Sequence, residues 1–471
     1  MNEITCISPI DGKVFATRNT LSLKDAKDEI QRLRTAQNAW SARLLSERIS
    51  LVMAGVEAIG KMNDQIVPEL AKMMGRPVRY GGEFGGFQER AQYMSDIAAD
   101  ALKDIEISDD SSFKRYIRRV PHGIVFVIAP WNYPYMTAIN TIAPALIAGN
   151  VVALKHATQT LLVGERLVKA FRSAGVPQDV FVNLFLDHDT TSQLIEENEF
   201  DFINFTGSLN GGIEMERAAA GTFTPVGTEL GGKDPGYVME DADLDAAVET
   251  LIDGAMFNSG QCCCGIERIY VIKSLYEEFL QKAIKIIANY TLGNPLEPDT
   301  TLGPMANKRF SDEVRLQIAE AIEKGATTHI KAFESDDGGT YVTPQILTDV
   351  DHNMRIMKDE TFGPVVCIMP VANDDEAVAL MNDSEFGLTA SLWTENVARA
   401  EKIADEIETG TVFLNRADYL DPALCWTGCK NTGRGGGLSI IGYNNLTRPK
   451  YYHLKKVTKS HLLEIGHIQR K

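Results

Sequence analysis

No apolar run in this sequence is long enough to cross a bilayer. The most apolar stretch, Ile142 to Leu154, is interrupted by Pro144, Gly149 and Asn150 and falls short of the ~20 residues that a spanning helix needs. A cationic face is missing too. Lys and Arg number 47 against 64 Asp and Glu, a formal charge of -17, which disfavours nucleic acid and anionic lipid as partners because both attract basic surfaces. The opening segment, MNEITCISPIDGK, has no basic region followed by an apolar one, so a signal peptide is not indicated and a cytoplasmic location is expected. Repeats and low-complexity tracts are absent as well, which sets aside solenoids and long linkers. The seven cysteines include no CxxC and no Cys/His pair at zinc spacing. Consecutive positions on a regular helix or strand do not all reach one metal, so a zinc site and a disulfide framework are both disfavoured.

What is present is an ordinary globular composition, 44% hydrophobic and 24% charged. A chain of 471 residues exceeds what one core usually supports, so two large lobes are expected, with room for a small appendage. Gly123 to Ile128 and Asn150 to Leu154 are short apolar runs bounded by Pro and Gly, the pattern of strands buried on both faces. A helix is read between them over Met136 to Ile147. A further helix stops at Gly175 and Pro177, and Val180 to Leu184, a helix through Ile195 and Phe202 to Phe205 continue the alternation. The fold class is therefore α/β with parallel strands and crossover helices. The alternation restarts near Pro235, with a helix Asp243 to Phe257, a strand Arg268 to Ile272 and a helix Leu275 to Ala288. A boundary falls near the Gly231-Gly232 pair. The first hundred residues read as mostly helical, including an amphipathic stretch from Ala26 to Leu44.

Four short motifs can carry chemistry. In FNSGQCCCGIER, Phe257 to Arg268, three adjacent thiols follow a helix and a Gly/Gln turn. A catalytic thiol must reach its thiolate form beside N–H groups or positive charge, whereas an arbitrary cysteine is more often a small buried hydrophobe. TELGGKDP places Glu229 in a Gly-rich turn at the seam, where a carboxylate can activate water, although a lone Glu more often caps or solvates. PWNYP leaves the end of a parallel strand, where ligand crevices form, and Asn132 there is either an oxyanion donor or a turn residue. FTGSLNGG runs from a strand into a helix whose N–H groups suit a pyrophosphate, without matching the GxGxxG fingerprint.

In combination these motifs resemble the aldehyde dehydrogenase superfamily along nearly the whole chain: PWN, FTGS, ELGGK, GQCC, ETFGP and GTVFLN stand in that family's order. The resemblance implies a Rossmann-type cofactor domain (1–111 and 122–231), an α/β catalytic domain (232–442) and a small β oligomerisation arm (112–121 and 443–458). It implies oxidation of an aldehyde to a carboxylic acid with NAD or NADP. Glu229 and Cys263 are 34 residues apart (263 − 229), the spacing of base and nucleophile in the hydrolytic members, which selects the middle thiol. By that resemblance Cys263 forms a thiohemiacetal and then a thioester, Asn132 and a backbone N–H hold the oxyanion, and Glu229 activates the hydrolytic water. Lys155, Gly207, Ser208, Trp131, Glu360 and Phe362 match the family's cofactor residues.

Three residues after Lys155, where NAD-specific members often carry a glutamate, this chain has Thr158, so NADP is admitted alongside NAD, with Lys155 or His156 favouring its phosphate. Tyr133, Phe257, Tyr419 and Trp426 are expected to line the mouth of the substrate tunnel. An aromatic tunnel suits apolar or, with Asp418, cationic aldehydes such as aminoaldehydes and betaine aldehyde, while Arg416 suits the carboxylate of succinate semialdehyde. KHA in place of Lys-Pro is similar to short bacterial succinate-semialdehyde dehydrogenases. Leu209 after the GlySer pair and the TGRGGGLS block, where many relatives have a GRE pattern, depart from the family. A homodimer or homotetramer is expected, and the basic tail after Lys455 reads as a solvated end.

Overall fold

The structure, a computed structural model, describes residues 2–336 and 338–456. Two parallel sheets organise it, and the site lies where their edges meet. The first has five strands in the order Phe181–Asn183, Val151–His156, Ile124–Ala129, Phe202–Thr206 and Val226–Glu229, all parallel. Its two central strands are fully buried, as continuous Val, Ile, Phe and Ala runs require. Ile124–Ala129 pairs with Val151–His156 on one side and Phe202–Thr206 on the other, so chain order reverses there. That is the crevice at which α/β sheets bind ligands.

The helix Pro134–Ala148 begins on a proline, where the missing N–H is no loss, and ends on Gly149 at φ 96°, a left-handed conformation that a side chain disfavours. The amphipathic segment read near the N-terminus is the helix Leu23–Ser41, capped by Ser22, and three more helices follow it through Ala101. These helices share one core with the five-stranded sheet. The hairpin of Glu3–Ile7 with Val14–Asn19 has no counterpart in the sequence reading, because short, partly exposed strands leave little hydrophobic signal.

The second sheet has seven strands in the order Thr327–Thr328, Gln345–Thr348, Val365–Val371, Ile266–Ile272, Asp234–Val238, Thr389–Trp393 and Thr411–Leu414; only the first is antiparallel. Separate hydrophobic clusters cover its two faces. The chain then returns to the first lobe, where Trp426, Leu438 and Tyr443 join the core beneath the helices Phe84–Ala101 and Pro134–Ala148.

A third sheet projects as an arm, Ile105–Asp109, Phe113–Pro121 and Thr447–Lys455, all antiparallel. The arm predicted from residues 112–121 and 443–458 thus gains a third strand, and 443 to 445 finish the helix Ser439–Asn445. Residues 457 and 458, with most of the basic tail, lie outside the described residues. Among the described residues no helix is long and apolar enough to cross a membrane.

Candidate active site

The carboxyl edge of the five-stranded sheet faces the amino edge of the seven-stranded one. From the first edge come Trp131 and Asn132 after Ala129, Lys155 within Val151–His156, Gly207 and Ser208 after Thr206, and Glu229 closing its strand. From the second come Lys233 before Asp234, the cysteines before Ile266, and Glu360 and Phe362 before Val365. The edges are joined by contacts: the Gly232 N–H donates to Glu360 Oε1 at 3.2 Å, and Trp131 meets Phe362 edge-on at 5.5 Å.

The cysteine turn is held by amides rather than by a helix. Asn258 and Ser259 both sit at positive φ (55° and 56°), which ends the preceding helix sharply. The Gln261 carboxamide fastens the turn, donating to the Asn258 carbonyl at 3.0 Å and accepting from the Ala306 N–H at 2.8 Å. Because this is a turn, the three Sγ atoms converge to within 4.8 Å of one another. That corrects the expectation from regular geometry that three consecutive thiols diverge. Cys262 and Cys264 are buried and Cys263 is the more accessible of the three. Hydrogen bonding from the neighbouring thiols holds Cys263 below the usual thiol range.

Glu229 is raised to about 7, chiefly by burial, with the nearby Arg90 guanidinium opposing the shift. Arg90, itself buried, feels both Glu229 and Cys263. Gly437 stands against Glu229: a Cβ there would lie 2.8 Å from Oε1. Behind it opens a cavity of about 350 Å³, lined in part by Asn140, Asn204 and Asn444. Two amide atoms in these walls, Asn140 Nδ2 and Asn444 Oδ1, have no hydrogen-bond partner.

Asn132 is buried beside the turn and donates through Nδ2 to the Gln261 carbonyl at 3.3 Å. Its own carbonyl accepts from Arg76 at 2.5 Å and from Asn258 Nδ2 at 3.2 Å. Arg76 is paired at 2.6 Å with Glu83, whose other oxygen receives the N–H groups of Tyr135 and Met136. A second buried pair, Lys233 with Glu267, holds the other wall, where Glu267 accepts from the N–H groups of Thr361 and Phe362. The motifs missed Arg76, Glu83 and Arg90, and they contain Lys233 and Glu267 without assigning either a role.

The cofactor-side residues fit a dinucleotide. Ser208 caps the helix Leu209–Ala219, whose N-terminus points from the crevice edge and suits a pyrophosphate. The Lys155 amine, 8% exposed and held down by burial, is in no ion pair among the described residues and suits a ribose or its phosphate. Glu360 is raised to about 8 by burial and by Glu267; Gly231 passes so close that a Cβ would collide with its carboxyl. Thr158 opens a short turn beyond Lys155. His156 does not offer a charge: its ring nitrogens bond Pro134 O and Thr160 Oγ1, and burial lowers it to about 4, so it is neutral.

Of the aromatic residues, Tyr133 lies under the Arg76 guanidinium at 4.8 Å, Phe257 meets Tyr80 edge-on at 4.9 Å, and Tyr419 donates to Glu89 at 2.7 Å. Arg416 is exposed and stacks on Tyr419 at 3.5 Å. Trp426 is buried deeper, exchanging both backbone hydrogen bonds with Gly437. Asp418 borders the cysteine turn, its Oδ1 lying 2.9 Å from Cys264 Sγ and 3.4 Å from Cys262 Sγ.

A sequence model described as the Aldehyde dehydrogenase family matches residues 1–452. The chain belongs to that family. The dehydrogenase is 30% identical over 445 residues to a succinate-semialdehyde dehydrogenase [NADP(+)] of Deinococcus radiodurans, covering 94% of this chain and 93% of that protein. Among solved structures it superposes on succinic semialdehyde dehydrogenase from Streptococcus pyogenes in complex with NADP+ (TM-score 0.91, 27% identity, 96% of this chain and 100% of that one). It also superposes on an aldehyde dehydrogenase from Bacillus cereus in its NAD+ complex (TM-score 0.92, 28% identity, 97% and 94%). It is an NAD(P)-dependent enzyme that oxidises an aldehyde to a carboxylic acid.

Proposed function

We propose that Cys263 is the nucleophile, Glu229 the general base and Asn132 the oxyanion donor, and that the substrate is a short aldehyde with a terminal carboxylate, of which succinate semialdehyde is the model. The observation that carries the catalytic assignment is the passage of the Glu229 turn against the cysteine turn: a Cβ on Gly232 would lie 2.5 Å from the Cys263 carbonyl. Base and nucleophile thus share one enclosure. The Cys263 thiolate attacks the aldehyde carbon, and the new oxyanion is met by the second N–H of Asn132 and the Cys263 backbone. Lys155, Ser208 and Glu360 would hold NAD(P)+, which would supply the hydride acceptor at this site. Glu229 then takes a proton from water, which attacks the thioester and frees the acid.

Substrate choice rests on two side chains. Asp418 is engaged by thiols, which removes the feature that favoured a cation, and Arg416 stands exposed over Tyr419 as the available partner for a carboxylate. The relatives named above for succinate semialdehyde are consistent with this reading. NADP fits better than NAD, because Lys155 can meet a phosphate and Thr158 does not repel one. An assay of NAD(P)H formation on carboxylated, apolar and cationic aldehydes tests it. The expected result is a kcat/KM highest for succinate semialdehyde with NADP+ and reduced ~10-fold or more by Arg416→Ala; equal turnover of a cationic aldehyde overturns it.

The proposed division assigns cofactor binding to 1–111 and 122–231, catalysis to 232–442 and assembly to the arm, except that Ile105–Asp109 belongs to the arm sheet and Trp426 and Leu438 pack in the core of the first lobe. The enzyme works in the cytoplasm as a homodimer or homotetramer. The net acidic charge and the projecting arm, with Tyr451 and Ile107 exposed, support this reading.

A further inference from the structure

Catalysis needs one thiol, and this turn brings three together around a carboxylate. Cys262 Sγ and Cys264 Sγ are 3.5 Å apart, and all three sulfurs lie within 4.8 Å of one another. Asp418 Oδ1 stands 2.9 Å from one and 3.4 Å from another. In a tetrahedral site with Zn–S near 2.3 Å and Zn–O near 2.0 Å, sulfurs are spaced by about 3.8 Å and sulfur and oxygen by about 3.5 Å. The three sulfurs lie near such spacings, and Asp418 borders Cys262 and Cys264; its carboxylate completes the set by a side-chain rotation that brings Oδ1 toward Cys263.

We propose that Cys262, Cys263, Cys264 and Asp418 form a binding site for a thiophilic divalent cation, zinc in the first instance, and that its occupation switches the enzyme off. Cys262 and Cys264 each exchange an S–H bond for an S–Zn bond and release a proton to solvent, and Cys263 binds as the thiolate, with no change of oxidation state. The donor set, three soft sulfurs and one carboxylate, selects Zn2+ or Cd2+ over Mg2+ or Ca2+, which prefer all-oxygen shells. Inhibition follows because the Cys263 lone pair that would attack the aldehyde is held by the metal. This consequence rests on Cys263 being the nucleophile; the binding itself does not.

The test is a titration of the full-length protein with Cd2+, followed by thiolate-to-metal charge-transfer absorbance, with aldehyde oxidation measured in parallel. One equivalent is expected to bind, with intensity for three thiolates, and activity is expected to disappear as it binds and return on adding a chelator. Cys262→Ser and Cys264→Ser, confirmed as folded by NADP+ binding, are each expected to weaken Cd2+ ~10-fold or more and to lose a third of the absorbance, while Cys429→Ser leaves both unchanged. Binding of Cd2+ to a single thiolate, or wild-type affinity in Cys262→Ser and Cys264→Ser, overturns the site. Full activity with the metal bound overturns the switch. If Cys263→Ala still oxidises aldehydes, the catalytic assignment fails, and the absorbance titration still decides the metal site.

Discussion

In the proposed mechanism Cys263 and Glu229 divide the reaction. The neighbouring thiols hold Cys263 below the usual thiol range, and burial raises the Glu229 carboxyl to about 7. Deacylation, which requires the carboxylate, is expected to be lost as pH falls through about 7. The pre-steady-state burst of NAD(P)H from acylation does not depend on that group and is expected to outlast steady turnover, which stopped-flow absorbance across that range checks. Glu229→Gln should keep the burst and lower turnover by ~10²- to 10⁴-fold, and Cys263→Ala should remove burst and turnover together, by at least ~10³-fold, with NADP+ binding intact. The sequence points to both residues because the family resemblance supplies their spacing. No such spacing marks Arg90. It lies among Phe87, Ala91 and Met94 in a helix that reads as core, and only the fold brings it near Glu229.

At the level of elements, the buried strands and the helix between them were readable because continuous apolar runs bounded by Gly and Pro admit few alternatives. The strand Ile124–Ala129 and the helix Pro134–Ala148 fall within two residues of the periodic reading. The convergence of the three thiols was not readable, since it depends on the left-handed Asn258 and Ser259, whose backbone angles periodicity does not report. The buried pair Arg76–Glu83 links helical segments to the site, and its loss should be felt at a distance. Arg76→Met or Glu83→Gln alone leaves one buried group unpaired, with an expected cost of ~3–5 kcal/mol, and the double variant should recover part of that. Denaturant unfolding of the three proteins measures the cycle. Since Arg76 also holds the Asn132 carbonyl, kcat is expected to fall in Arg76→Met even where the protein remains folded.

For the whole molecule, the proposed assembly runs through the arm. Its outer strand Thr447–Lys455 pairs over its full length with Phe113–Pro121, and the aromatic pair Tyr116–Tyr452 stacks at 4.5 Å between them. Charged substitutions at the exposed Tyr451 and Ile107 are expected to shift the enzyme to monomers, read by light scattering on a sizing column, while the lobes stay folded. A second consequence concerns the order in which the chain is made. Arg76 finds Glu83 seven residues later, the Asn132 carbonyl 56 residues later and Asn258 182 residues later. During synthesis the helices that emerge first therefore carry a guanidinium whose enclosure is completed only when residue 258 has been translated, so the growing chain closes around this charge from its middle rather than from its beginning.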